Sequence, residues 1–222
     1  EGPVEREVTF VASSWNFAVL LLAMILMVIN KFLAPQRSYA IMTLLFQNGG
    51  GEKTIRESNL FFNFVSLTIL TSFIMLFSMF IQRFYLIYGG NYILHDGVDF
   101  FMDIVFVIVT MIIFNYLLTS LYSWLFKSEE MLLLHVSSVV SLMSLAVMIL
   151  IPSILLLLFY PYKFVYVITL TLLLILFIIR LIKLLIEVRM LSKLNFVNIF
   201  LYLCTIEVLP ILVMSKMILM AI

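Results

Sequence analysis

Charge is scarce in this chain and cysteine scarcer. Asp, Glu, Lys and Arg make up 11% of the residues, against about a quarter in soluble domains. The 13 basic and 12 acidic side chains nearly cancel. With no basic stripe interleaved with aromatics, that balance leaves nucleic acid no electrostatic footprint. Cys204 is the single cysteine, which excludes an intramolecular disulfide and a multi-cysteine metal site. No HExxH, GxSxG or paired-carboxylate constellation occurs, so metalloprotease and serine hydrolase chemistry lack their residues. The run Gly49 to Gly51 follows no strand and precedes no Gly-Lys-Ser/Thr, and reads as a flexible turn rather than a phosphate cradle. No cofactor is expected.

What the chain has instead is apolar length. Hydrophobic residues make up 65% of it and the mean hydropathy is +1.24. A spanning helix needs about 20 mostly apolar residues, and such runs recur along nearly the whole chain. They can be drawn at Trp15–Leu33, Leu60–Tyr88, Phe100–Phe126, Met131–Phe159, Phe164–Leu185 and Phe196–Ile222. The expected fold is all-α, a polytopic transmembrane helical bundle of about six spans forming one integral membrane domain over residues 1–222. The lipid bilayer is its first partner, other membrane protein subunits are its second, and nucleic acid is none.

Basic residues near a membrane stay cytoplasmic. Lys31, Arg37, Lys53, Arg56, Lys127, Arg180, Lys183, Arg189 and Lys193 fall on one side of this arrangement, and Arg6, Arg83, Lys163 and Lys216 on the other. Both termini are therefore expected outside the cytoplasm. A chain that opens on Glu1 rather than Met, on that side, fits a cleaved leader as well as it fits a simple boundary; the mass of the intact protein separates the two.

Three connections carry polar residues worth naming. Ser38 to Phe46 forms a short amphipathic stretch before the glycines, expected to be an interfacial helix. The basic end "RLIKLLIEVRMLSKLNF" brings Arg180, Lys183, Arg189 and Lys193 together; topological anchoring is its plainer role, and lipid headgroup or partner docking the sharper one. His95, Asp96, Asp99 and Asp103 are loosely spaced. They read as acids favouring a helix start before they read as a metal site.

Inside the apolar runs, ionisable residues cost at least about 2.5 kcal/mol and are functional candidates by default. Glu207 lies a rise of about 17 Å from Phe196, close to mid-membrane, and is expected to be a neutral acid donating a hydrogen bond. Asn115 is its expected partner, and Pro210, which has no N–H for the Ile206 carbonyl, frees an acceptor nearby. The motif has two readings, a packed helix kink and a proton relay, and the lone acid favours the first. His135 opens the fourth run, followed by Ser137, Ser141 and Ser144 at helical spacing. The serines are expected to pack helices, and His135 is a candidate base or ligand with no second group in view. Pro152 adds a kink near the far end of that run.

The last run, "FVNIFLYLCTIEVLPILVMSK", resembles the closing helix of a polytopic family of Bacteroidota, domain of unknown function 4271. Tyr202, Leu203, Cys204, Glu207 and Pro210 carry the resemblance, with weaker similarity at "RESNLFF" and "SEEMLLLH". The resemblance implies a multi-pass protein of the cytoplasmic (inner) membrane in a Gram-negative envelope, with no reaction or catalytic residue to inherit. It also implies Tyr where this chain has His135, which argues against an obligatory catalytic role there. The leading expectation is a non-enzymatic membrane subunit or scaffold of a larger envelope complex, with protein export or assembly as its setting. The alternatives are a small proton-coupled transporter centred on Glu207 and an enzyme acting on lipid-linked substrates at the cytoplasmic face.

Overall fold

Proline and glycine set the helix boundaries in the computed structural model, which describes residues 14–43, 64–88, 97–126, 129–159 and 162–191. These residues form six α-helices: α1 Ser14–Leu33, α2 Pro35–Thr43, α3 Phe64–Tyr88, α4 Val98–Phe126, α5 Glu129–Phe159 and α6 Lys163–Leu191. Only Ala34 separates α1 from α2. Its N–H still closes onto the Asn30 carbonyl at 3.1 Å, while its own carbonyl receives the Ser38 N–H at 3.0 Å. A residue before proline is pushed out of the helical region, and proline itself starts a helix readily because its missing N–H has no helical partner to lose. This pair therefore turns the chain. The short helix begins at Pro35 rather than at the Ser38 expected from amphipathicity, because the proline signal outranks the apolar pattern.

At the start of α4 the Gly97 carbonyl accepts the Phe101 N–H at 3.3 Å, and Asp99 sits in the first turn, where negative charge favours a helix N-terminus. In α5 the helix runs on through Pro152, although proline removes one main-chain bond from its interior.

Five of the six helices, all but α2, are long and apolar enough to cross a membrane. The sixth expected span, Phe196–Ile222, lies outside the described residues. Helices apolar around their whole circumference belong inside a large core or in lipid. Here 50% of the α3 span and 44% of the α5 span are buried, against 11% for α4 and 17% for α6, so α3 and α5 form the centre. Helices α1 and α4 pack on α3, and α6 packs on α5. Phe106 and Trp124 on α4, and Phe164 and Ile182 on α6, are exposed on the outer faces. A fold of this composition directs such side chains to lipid, and the protein is a membrane protein.

The interior has two apolar layers. Leu76 and Met79 of α3 meet Val147, Leu150 and Ile154 of α5, all fully buried, with Leu20 and Ala23 of α1 and Tyr166 of α6. The second layer joins Val65 and Ile69 of α3 to Val136, Val140 and Met143 of α5, and Ile41 of α2 is buried against it. Helix α2 therefore caps one end of the bundle, referred to below as the α2 face.

Candidate functional site

Polar side chains that fold into an apolar bundle must find partners, because an unsatisfied buried group is costly. Near the α2 face, three hydrogen bonds join helices at similar depth. Thr68 Oγ1 on α3 donates to Asn30 Oδ1 on α1 at 2.6 Å. His135 Nε2 on α5 lies 3.2 Å from Asn115 Oδ1 on α4; an oxygen acceptor calls for a proton on Nε2. Arg180 Nε on α6 donates to Ser138 Oγ on α5 at 3.2 Å. The Arg180 charge also acts on the His135 ring, so Asn115, His135, Ser138 and Arg180 form one cluster drawn from three helices. His135 is 3% exposed and Arg180 is 4% exposed.

These bonds also fix the vertical register. Thr68 and Asn30 come from antiparallel helices, so equal steps away from that bond reach Gln82 on α3 and Asn16 on α1. Equal steps from Asn115 and His135 reach Gly97 and Ser153, and from Ser138 and Arg180 they reach Pro152 and Tyr166. All of these lie at the face opposite α2. The Gln82 Nε2 to Gly97 carbonyl bond, 3.3 Å, closes that level directly. Asn16, Gln82 and Arg83 are all buried there. Tyr166 packs between Phe80 and Phe84, with ring centroids at 5.3 and 6.2 Å.

The expected site residues distribute as follows. Ser137, Ser141 and Ser144 are buried on α5. Ser137 Oγ donates back to the Leu134 carbonyl at 2.9 Å, whereas the Ser141 and Ser144 hydroxyls make no hydrogen bond among the described residues. Asn115 meets His135, and its expected partner Glu207 lies outside the described residues. Arg180, expected on a basic end that docks headgroups or a partner, turns inward to Ser138 instead, because its position on α6 faces α5. Lys183 remains partly exposed one turn on, and Arg189 lies in the last turns of α6. Lys193, Tyr202, Cys204, Glu207 and Pro210 lie outside the described residues, as do His95 and Asp96. Among the described residues no group of three or more His, Cys, Asp and Glu gathers as a metal site.

Sequence reasoning passed over Asn16, Asn30, Thr68, Gln82 and Arg83. By sequence alone Arg83 registers only as a charge on one side of the membrane. The signal is present, since an intramembrane polar residue calls for a partner, but these residues lie toward the ends of their runs, where a polar side chain is unremarkable.

The cluster's chemistry follows from how its atoms are engaged. His135 and Ser138 share a helix, yet Nε2 faces Asn115 and the Ser138 hydroxyl faces Arg180, so the described bonds do not form a nucleophile–base pair. What they do is hold helices in register. Thr68→Val tests this directly by leaving Asn30 Oδ1 without its donor. The expected loss of stability is about 0.6 kcal/mol and no more than about 2, the range for interhelical bonds in membranes. Thermal unfolding in mild detergent reads it, and Asn30→Leu combined with Thr68→Val should cost less than the two separate losses added.

Neither the curated proteins nor the solved structures compared with the chain match it. One family profile does, that described as "Domain of unknown function (DUF4271)", over residues 16–218. The match takes in α2 to α6, all of α1 but its first two residues, and nearly all of the last apolar run, and the chain belongs to this family.

Proposed function

We propose that this chain is a non-enzymatic integral membrane subunit, a helical scaffold within a larger bacterial envelope complex. It sits in the cytoplasmic (inner) membrane with the α2 face toward the cytoplasm. The observation that carries the reading is the use made of buried polar groups. The described long-range side-chain bonds run from one helix to another, joining α1 to α3, α3 to the residue before α4, α4 to α5, and α5 to α6. Polar side chains spent in this way stabilise a fixed framework. The apolar outer faces of α4 and α6 support the same reading, since they offer long surfaces to lipid or to the helices of a neighbouring subunit. The positive-inside rule supports the orientation, with Lys31, Arg37 and Lys183 near the α2 face.

The test is purification of a tagged chain at endogenous expression in mild detergent. A stable partner recovered in fixed stoichiometry is the expected result. A monodisperse chain that emerges alone overturns the proposal.

A further inference from the structure

The corner where α1 meets α2 differs in chemistry from the apolar outer faces of the other helices. The membrane-crossing segment of α1 ends at Leu33, and the bend at Ala34 and Pro35 turns the chain there. Helix α2 has nine residues, a length of about 13 Å, which exceeds the distance of about 8–10 Å between packed helix axes. It packs on α5 as well as on α1. It therefore runs across the end of the bundle instead of continuing along the membrane normal. Ile41 is buried beneath it, while Gln36, Arg37 and Tyr39 are exposed. A short helix with one face on an apolar layer and a polar face outward, set where the spans end, lies at the depth of the lipid headgroups.

The corner is also cationic. Residues 14–43 include Lys31 and Arg37 but no Asp or Glu, and both cations are exposed. They stand three residues before and three after Ala34, about 9 Å of helical rise that the bend shortens. Lys31 lies just inside the end of the apolar segment, where a lysine lays its stem along apolar surface and extends its ammonium to the interface. Arg37 lies just beyond that end, and its planar fork suits the oxygens of a phosphate. The two charges thus meet at one level. Phe32, 83% exposed, and Leu33 stand beside Lys31 in the last turn of α1 and offer an apolar wall below the charges. The exposed Tyr39 ring on α2 has the apolar body and polar tip that favour the membrane interface.

We propose that the corner of α1 and α2 binds an anionic phospholipid, with Lys31 and Arg37 on its phosphate and Phe32 and Leu33 along an acyl chain. This goes beyond the scaffold reading and holds whichever complex the chain joins and whichever leaflet the α2 face meets. A bilayer lipid fits the corner better than a soluble anion does, because the cations sit directly above exposed apolar side chains at the end of a span. An anionic headgroup is favoured over a zwitterionic one, whose own cation offsets its phosphate.

The chain, purified in mild detergent, is titrated with phosphatidylglycerol or with phosphatidylcholine of the same acyl chains, and bound lipid is counted by native mass spectrometry. Phosphatidylglycerol is expected to bind at least about tenfold more tightly, since each cation near an anionic surface contributes about fivefold. Lys31→Gln and Arg37→Gln are each expected to weaken phosphatidylglycerol about fivefold and to leave phosphatidylcholine within about twofold of the parent. Both side chains are exposed, so these changes spare the interior. The double variant is expected to bind the two lipids alike within about twofold. Lys163→Gln, which removes an exposed cation at the opposite face, is expected to keep the parent's preference. A parent with no preference, a double variant that retains it, or an equal loss from Lys163→Gln overturns the proposal. Displacement of phosphatidylglycerol by inorganic phosphate at matching concentration also overturns it, because the site would then belong to a soluble anion.

Discussion

Tyr166→Ala is expected to destabilise the bundle by about 3–5 kcal/mol, the range for truncating a buried aromatic. Tyr166 is 2% exposed and joins α6 to α3 through Phe80 and Phe84. It also belongs to the larger apolar layer with Leu150, Ile154 and Leu157 of α5, so its removal opens a void where three helices meet. Close packing matters especially in lipid, where association is driven by contact rather than by escape from water. Tyr166→Phe keeps the ring and its contacts with Phe80 and Phe84, and should leave stability nearly unchanged. The two variants are compared by thermal unfolding in detergent. Equal losses would show that the hydroxyl, not the ring, supports the contact.

His135→Leu is expected to have the second-largest effect, a loss of about 1–3 kcal/mol from leaving the Asn115 carbonyl oxygen without its donor in a low-dielectric setting. Asn115→Leu should cost a similar amount, and the double variant less than both losses added, with a coupling of about 0.6 to 2 kcal/mol. His135→Gln provides the control, because its side-chain amide can donate where the imidazole Nε2 stands. Recovery of most of the lost stability by Gln is the expected outcome. If Gln behaves like Leu, the imidazole matters for something other than the hydrogen bond to Asn115.

Much of the architecture could be read from the apolar runs. Four expected spans match α1, α4, α5 and α6 to within a few residues at most ends, and the second overlaps α3. Run length and composition are local properties, and they suffice because lipid forces every main-chain group into the helix. Partnerships were not legible. Counting depth brings Asn115 level with Glu207 but gives no hint of its described bond to His135 on the next helix. Depth along a helix can be counted in residues, but the direction a side chain faces depends on neighbours that no single run specifies. Arg180 shows the same limit. The positive-inside rule weighs it as one of several basic residues at a helix end, and only the packing of α6 on α5 turns it toward Ser138. Residues such as Asn30 and Thr68 were unremarkable alone and became informative as a pair.

The central helices α3 and α5 run in the same direction, since both begin at the α2 face, and α4 is the return stroke between them. Their shared layers therefore close a loop that contains the whole of α4, and this imposes an order on assembly. The hairpin of α1 and α3, clasped by Asn30 and Thr68, can form as soon as α3 has emerged from the ribosome. The face of α3 bearing Leu76 and Met79 must then wait through the synthesis of another full crossing before Val147, Leu150 and Ile154 arrive to cover it. During that interval the nascent chain displays a half-built core within the membrane, which α5 covers and Tyr166 of α6 then completes.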